Sequence, residues 1–106
     1  MATQAKLSDY GISVGTLPSG PLGKISDVPG VTVGHCTVDT QTQKTGVTVV
    51  MPCADDMFAQ KLPAAACVLN GFGKTAGLVQ IGELGTLETP IALTNTLNVG
   101  LVYRSE

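Results

Sequence analysis

A chain of 106 residues, 43% of them apolar, is long enough for one small domain and too hydrophobic to stay disordered by composition. Its six basic residues, Lys6, Lys24, Lys44, Lys61, Lys74 and Arg104, stand singly against eight acids for a net charge of −2, so no basic stripe exists to neutralise a row of phosphates. The opening Met1–Tyr10 is polar and holds no stretch of leader length. The longest clean apolar run, Ala64–Leu69, falls far short of a membrane span, and the chain reads as soluble and cytoplasmic, with neither a nucleic acid nor a membrane as partner.

Residues 1–24 form a turn-rich lead-in with glycine or proline at positions 11, 15, 18, 20, 21 and 23. Val28-Pro29-Gly30 has the order a type II turn prefers. Val31–Val38 reads as a strand, Asp39–Thr45 as a polar loop ending at Gly46, and Val47–Met51 as a second strand stopped by Pro52. Together they predict a hairpin with a long connection. Asp55–Gln60 fits a short helical turn. Ala64–Leu69, apolar without alternation, fits a strand covered on both faces.

Asn70-Gly71-Phe72-Gly73 breaks that run, and at least one of the two glycines is expected at φ > 0. Thr75–Leu84 then predicts a helix that buries Leu78, Val79, Ile81 and Leu84, capped by Thr75 and stopped by Gly85. Ile91–Val99 reads as another strand. The end at Tyr103-Arg104-Ser105-Glu106, close behind it and with no closing element, reads as a cut. The aromatics are Tyr10, Phe58, Phe72 and Tyr103, so the core must rest on Ala, Val, Leu and Ile. A core this light implies that other chain covers part of it.

The residues offer little chemistry by themselves. Cys36, Cys53 and Cys67 lack CxxC spacing and read as semi-buried thiols in a reducing compartment, with no metal or cofactor expected. His35 is the one histidine, and on a strand it points away from Cys36. Gly71–Ala76 fits the dinucleotide pattern GxGxxG/A, and a small phosphate- or nucleotide-binding module using this loop is the alternative function. Val68 stands where a P-loop needs glycine, and Ile91–Val99 lacks the acid that grips a ribose, so a tight structural turn is the better reading. Adjacent Asp55 and Asp56 do not converge on one substrate. Glu83 sits near a helix C-terminus, which disfavours its charge, and is expected to find a partner.

Ile25-Ser26-Asp27-Val28-Pro29-Gly30-Val31-Thr32-Val33-Gly34-His35 changes the reading, because this segment closely resembles the opening of the DmpA family of aminopeptidases. Thr45–Val50, Val68–Gly77, Glu83-Leu84-Gly85 and Pro90–Thr96 follow in family order. The resemblance runs from about Leu7 to the end, making residues 1–106 the N-terminal segment of a single α/β peptidase domain. It implies an α/β fold, a segment of an αββα four-layer sandwich that is mostly strands with one short helix. It also implies a precursor that cleaves itself before a serine, which becomes the N-terminus of a β chain. A free α-amine with a pKa of about 8 can then act as base for the hydroxyl.

Members with these features remove N-terminal residues from short peptides and act on amino-acid amides and esters. The chain contains no Gly-Ser dipeptide, so the junction and the nucleophile fall outside it and no catalytic residue is assigned. Its expected partners are the remainder of the same enzyme with the β chain, further copies of itself, and a short peptide or amino-acid amide. Asn70, Thr94 and Asn95 are the candidate substrate-binding residues, since buried polar groups need partners. His35 has no catalytic task in a mechanism whose base is an α-amine. His35→Gln in the intact precursor should retain most turnover of an amino-acid amide; a loss of several orders of magnitude in folded, processed protein would refute that assignment.

Overall fold

The computed structural model describes residues 4–105; the first three residues of the polar opening, and Glu106 of the predicted cut, lie outside them. The two β-rich runs form the expected hairpin. Strand β1 (Thr32–Asp39) pairs antiparallel with β2 (Lys44–Met51), with Val33 opposite Val50, His35 opposite Thr48 and Asp39 opposite Lys44. The connection is shorter than predicted, because pairing continues through polar residues to an Asp39–Lys44 ion pair at the hairpin's end. Thr40 Oγ1 closes the turn by accepting the N–H groups of Thr42 and Gln43 at 3.3 and 2.9 Å. Gly46 lets the strands approach, since a Cβ there would lie 2.5 Å from the Cys36 carbonyl oxygen.

The lead-in is tied down by Asp27, whose carboxylate accepts the N–H groups of Leu22 at 3.1 Å and Lys24 at 3.2 Å. The type II turn forms as predicted, with Gly30 at φ 85° and the Val31 N–H donating to the Val28 carbonyl at 3.1 Å. The helical turn at residues 55–60 also forms. Asp56 Oδ1 accepts the N–H of Phe58 at 3.0 Å, and the Gln60 N–H reaches the Asp56 carbonyl at 2.9 Å.

The strand expected at Ala64–Leu69 is absent. Strand β3 is Leu62–Pro63, and it pairs with β4 (Thr86–Leu87) in a separate two-stranded ladder. The Ala64 N–H still reaches the Gly85 carbonyl at 2.9 Å, but residues 65–69 then run exposed, with Leu69 at 96% accessibility. A strand needs a neighbour to hold its backbone groups, and among the described residues this segment has none.

Helix α1 spans Leu78–Leu84, not Thr75–Leu84. Gly77 at φ 88° breaks the helical backbone and takes the N-cap position, so Thr75 caps nothing. Gly85 at φ 65° ends the helix as expected, its N–H reaching the Ile81 carbonyl at 2.8 Å. Leu78 and Ile81 are half-buried, whereas Val79 and Leu84 are exposed, so the buried side is narrower than predicted. Gly71 and Gly73 have no left-handed φ, and a Cβ at either would meet nothing within 4 Å, which removes the expected backbone reason for both glycines. Glu83 is exposed and has no ion pair or side-chain hydrogen bond among the described residues; water screens it instead.

The strand predicted over Ile91–Val99 is cut to β5 (Ile91–Leu93), which pairs with β2 to give the sheet order β1-β2-β5. Asn95 then caps a 3₁₀ turn at Thr96–Asn98 that runs into helix α2 (Val99–Ser105). The described residues therefore hold two short α-helices rather than one. Cap chemistry prevails here over the β propensity of Thr and Val.

This scaffold covers little of itself. The accessible surface is 9087 Å², against about 5,500 Å² expected for a folded monomer of this mass. The radius of gyration is 16.3 Å, where a compact chain of this length gives about 13 Å. Val50 at 8% and Met57 at 5% are the buried hydrophobics among the described residues. Both faces of the sheet carry apolar side chains, Val33, Val50, Ile91 and Leu93 on one and Val38, Val47, Val49 and Met51 on the other. The close approach at Gly46 gives a test. Gly46→Ala should cost about 1–3 kcal/mol of stability by forcing the strands apart; an unchanged melting midpoint would contradict that packing.

Candidate functional site

Helix α1, the β4–β5 connection and α2 enclose a groove of about 400 Å³. Leu78, Ile81, Leu87, Ile91, Val99 and Val102 are among its apolar lining residues. The hydroxyls of Thr75, Thr86, Thr89 and Thr94 interrupt this apolar lining. Such a groove accepts an apolar group and offers hydroxyl oxygens to orient it.

Lys74 and Glu88 are its charged lining residues. Glu88 is well anchored: Oε1 accepts a 2.7 Å hydrogen bond from Gln80 Nε2, and Oε2 lies 3.5 Å from Lys61 Nζ. Lys61 also donates to the Phe58 carbonyl at 2.9 Å and sits 4.6 Å from the centre of the Phe58 ring. The Glu88 side chain keeps only 22% of its exposure, so this pair is better shielded than the one at the hairpin's end. It ties α1, the residue before β3 and the β4–β5 connection into one unit. No local pattern signals it, because β3–β4 pairing is what brings residues 61 and 88 together.

Thr94 lines the groove and is half-buried; Asn70 and Asn95 lie outside its lining. Asn70 is exposed and its Oδ1 accepts the Phe72 N–H at 3.2 Å, an Asx turn. Asn95 is exposed and uses both ends of its amide, Nδ2 donating to Thr45 Oγ1 at 3.1 Å and Oδ1 accepting the Asn98 N–H at 3.1 Å. The structure thus places Thr94 and Asn95 together and Asn70 in a separate loop.

The geometry of Gly71–Ala76 gives no support to a phosphate cradle. The loop is separated from α1 by the left-handed Gly77, and Lys74 Nζ turns back onto the Phe72 carbonyl at 3.4 Å. His35 Nδ1 is 2.9 Å from Thr48 Oγ1, its partner across the β1–β2 ladder, and is not part of the groove. Cys36 and Cys67 are exposed and Cys53 is half-buried, so two of the three thiols are less covered than expected. Among the described residues no three of His, Cys, Asp and Glu gather as a metal site requires, and no helix is long and apolar enough to cross a membrane.

An α/β chain with this antiparallel sheet and this groove is matched over residues 23–105 by the model of peptidase family S58. The chain belongs to that family, the DmpA/β-aminopeptidase family, and is consistent with an N-terminal part of it. It is 38% identical over 106 aligned residues to Beta-peptidyl aminopeptidase BapA of Sphingosinicella xenopeptidilytica, covering 92% of this chain and 26% of that protein. Among solved structures it is similar to a Burkholderia sp. beta-aminopeptidase, with a TM-score of 0.85 and 43% identity over 95% of this chain and 30% of the other. It is likewise similar to the PH0078 protein of Pyrococcus horikoshii OT3, with a TM-score of 0.86 and 40% identity over 94% of this chain and 31% of that one. The chain therefore spans about a quarter to a third of the relatives it matches.

Proposed function

We propose that this chain is the N-terminal α-chain segment of an aminopeptidase or amidase that removes N-terminal residues from short peptides or from amino-acid amides and esters. The match to peptidase family S58 over residues 23–105 carries the reading. In this proposal the nucleophile is a serine freed by self-cleavage as the N-terminus of a β chain. Its α-amine takes the hydroxyl proton as the oxygen attacks the substrate carbonyl, and N–H donors hold the oxyanion. The proton passes to the departing amine or alcohol as its bond to the carbonyl breaks, and water then hydrolyses the acyl-serine ester. This chain supplies part of the scaffold and part of the pocket, with Thr94 facing the substrate.

The packing supports an incomplete domain. A sheet with two apolar faces needs a layer on each side, as the middle sheets of an αββα sandwich have. The surface in excess of a compact monomer is about 3,500 Å², on the scale of obligate interfaces. The remainder of the enzyme would cover most of it, and further copies would cover the rest as a homo-oligomer. Three free thiols fit a cytoplasmic protein.

Residues 1–106 purified alone should show no amidase or esterase activity above background, and their exposed apolar faces should drive self-association. Assays with amino-acid p-nitroanilides and amides, together with the mass in solution, test both expectations. A monomeric, cooperatively folded and active 106-residue protein would overturn the proposal.

A further inference from the structure

Beyond Leu93 the chain leaves the sheet. The β2–β5 ladder pairs Thr48 with Leu93 and Val50 with Ile91, a register that would set Asn95 opposite Gly46 if it continued. Instead the backbone turns away at Thr94 and a side chain takes over. Asn95 Nδ2 donates to Thr45 Oγ1 at 3.1 Å, joining segments fifty residues apart. At its other end Oδ1 accepts the Asn98 N–H at 3.1 Å, which starts the 3₁₀ turn leading into α2. This arrangement fixes which way the amide points: exchanging its ends would set an NH₂ group against the Asn98 N–H, donor to donor.

We propose that Asn95 is a positioning residue, whose carboxamide clamps the start of α2 to β2 and so sets where Val99, Val102 and Thr94 stand in the groove. It acts through those residues and does not itself touch substrate, because both ends of its amide are already engaged and it lies outside the groove lining. The inference rests on the groove's being a wall of the substrate pocket. A simple helix cap needs Asn98 and nothing on β2, whereas a clamp needs Thr45 as much as Asn98. Thr45 is therefore the residue that separates the two roles.

The test uses the complete, processed enzyme that carries this chain, with Thr45→Val, Asn95→Ala, the double variant and Asn95→Asp. Asp keeps the cap acceptor and can accept the Thr45 hydroxyl proton, so it serves as the rescue. For an amino-acid p-nitroanilide, Thr45→Val and Asn95→Ala should each raise KM about three- to tenfold with kcat within about twofold, and the double variant should be no worse than Asn95→Ala. Asn95→Asp should return KM to near the parent value. Multiplying effects in the double variant, or an unchanged KM in Thr45→Val, would overturn the clamp. Hydrogen exchange at the Asn98 amide reads it independently of catalysis: Thr45→Val should speed exchange several-fold, and unchanged exchange overturns the proposal. An enzyme without any turnover would count against the proposed function while this second readout still decides the clamp.

Discussion

Strand β2 hydrogen-bonds to β1 along one edge and to β5 along the other, and those two ladders make the larger of the two sheets among the described residues. Its register with β1 is held where the period of two demands it. Val50 must face the same side as Val33 and Ile91, because a slip of one residue would turn every apolar side chain to the opposite face. Gly46 permits the close approach at one end, and the type II turn at Val28–Val31 aims the lead-in at the other. From β5 the chain reaches Asn95, α2 and the groove, so the position of the candidate site is inherited from β2.

The same sheet explains why the chain covers itself so poorly. Three strands and two seven-residue helices cannot shield two apolar faces, and few hydrophobic residues are buried. Covering one Leu or Phe stabilises by about 1.5–3 kcal/mol, and many such side chains stand exposed here, Leu69 and Phe72 among them. The polar contacts do not compensate. The Asp39–Lys44 pair is largely exposed and contributes at most about 1 kcal/mol. The chain spans about a quarter to a third of the relatives it matches.

Features governed by local chemistry were legible in the residues: the β1–β2 hairpin, the Val28-Pro29-Gly30 turn, the turn at Asp56 and the stop at Gly85. Features set by distant partners were not. Ala64–Leu69 has the composition of a buried strand, yet a strand forms only where another edge meets it. Ile91–Val99 has β propensity throughout, but Asn95 ahead of Leu97, Val99, Leu101 and Val102 is also a cap before a helix, and the cap prevails. At the candidate site, Thr94 could be named from the polar interruption of an apolar run. Glu88 with Lys61 and Gln80 could not, because its partners meet only through β3–β4 pairing.

Under the proposed function, this chain forms a peptidase only in combination with a second polypeptide derived from the same precursor. Native mass spectrometry of the purified enzyme, combined with sequencing of every N-terminus in the complex, tests it most directly. This chain should be found in a stable complex with a second polypeptide whose first residue is serine. Recovery of the active species with no second N-terminus, or with one that begins at a residue other than serine, would contradict it.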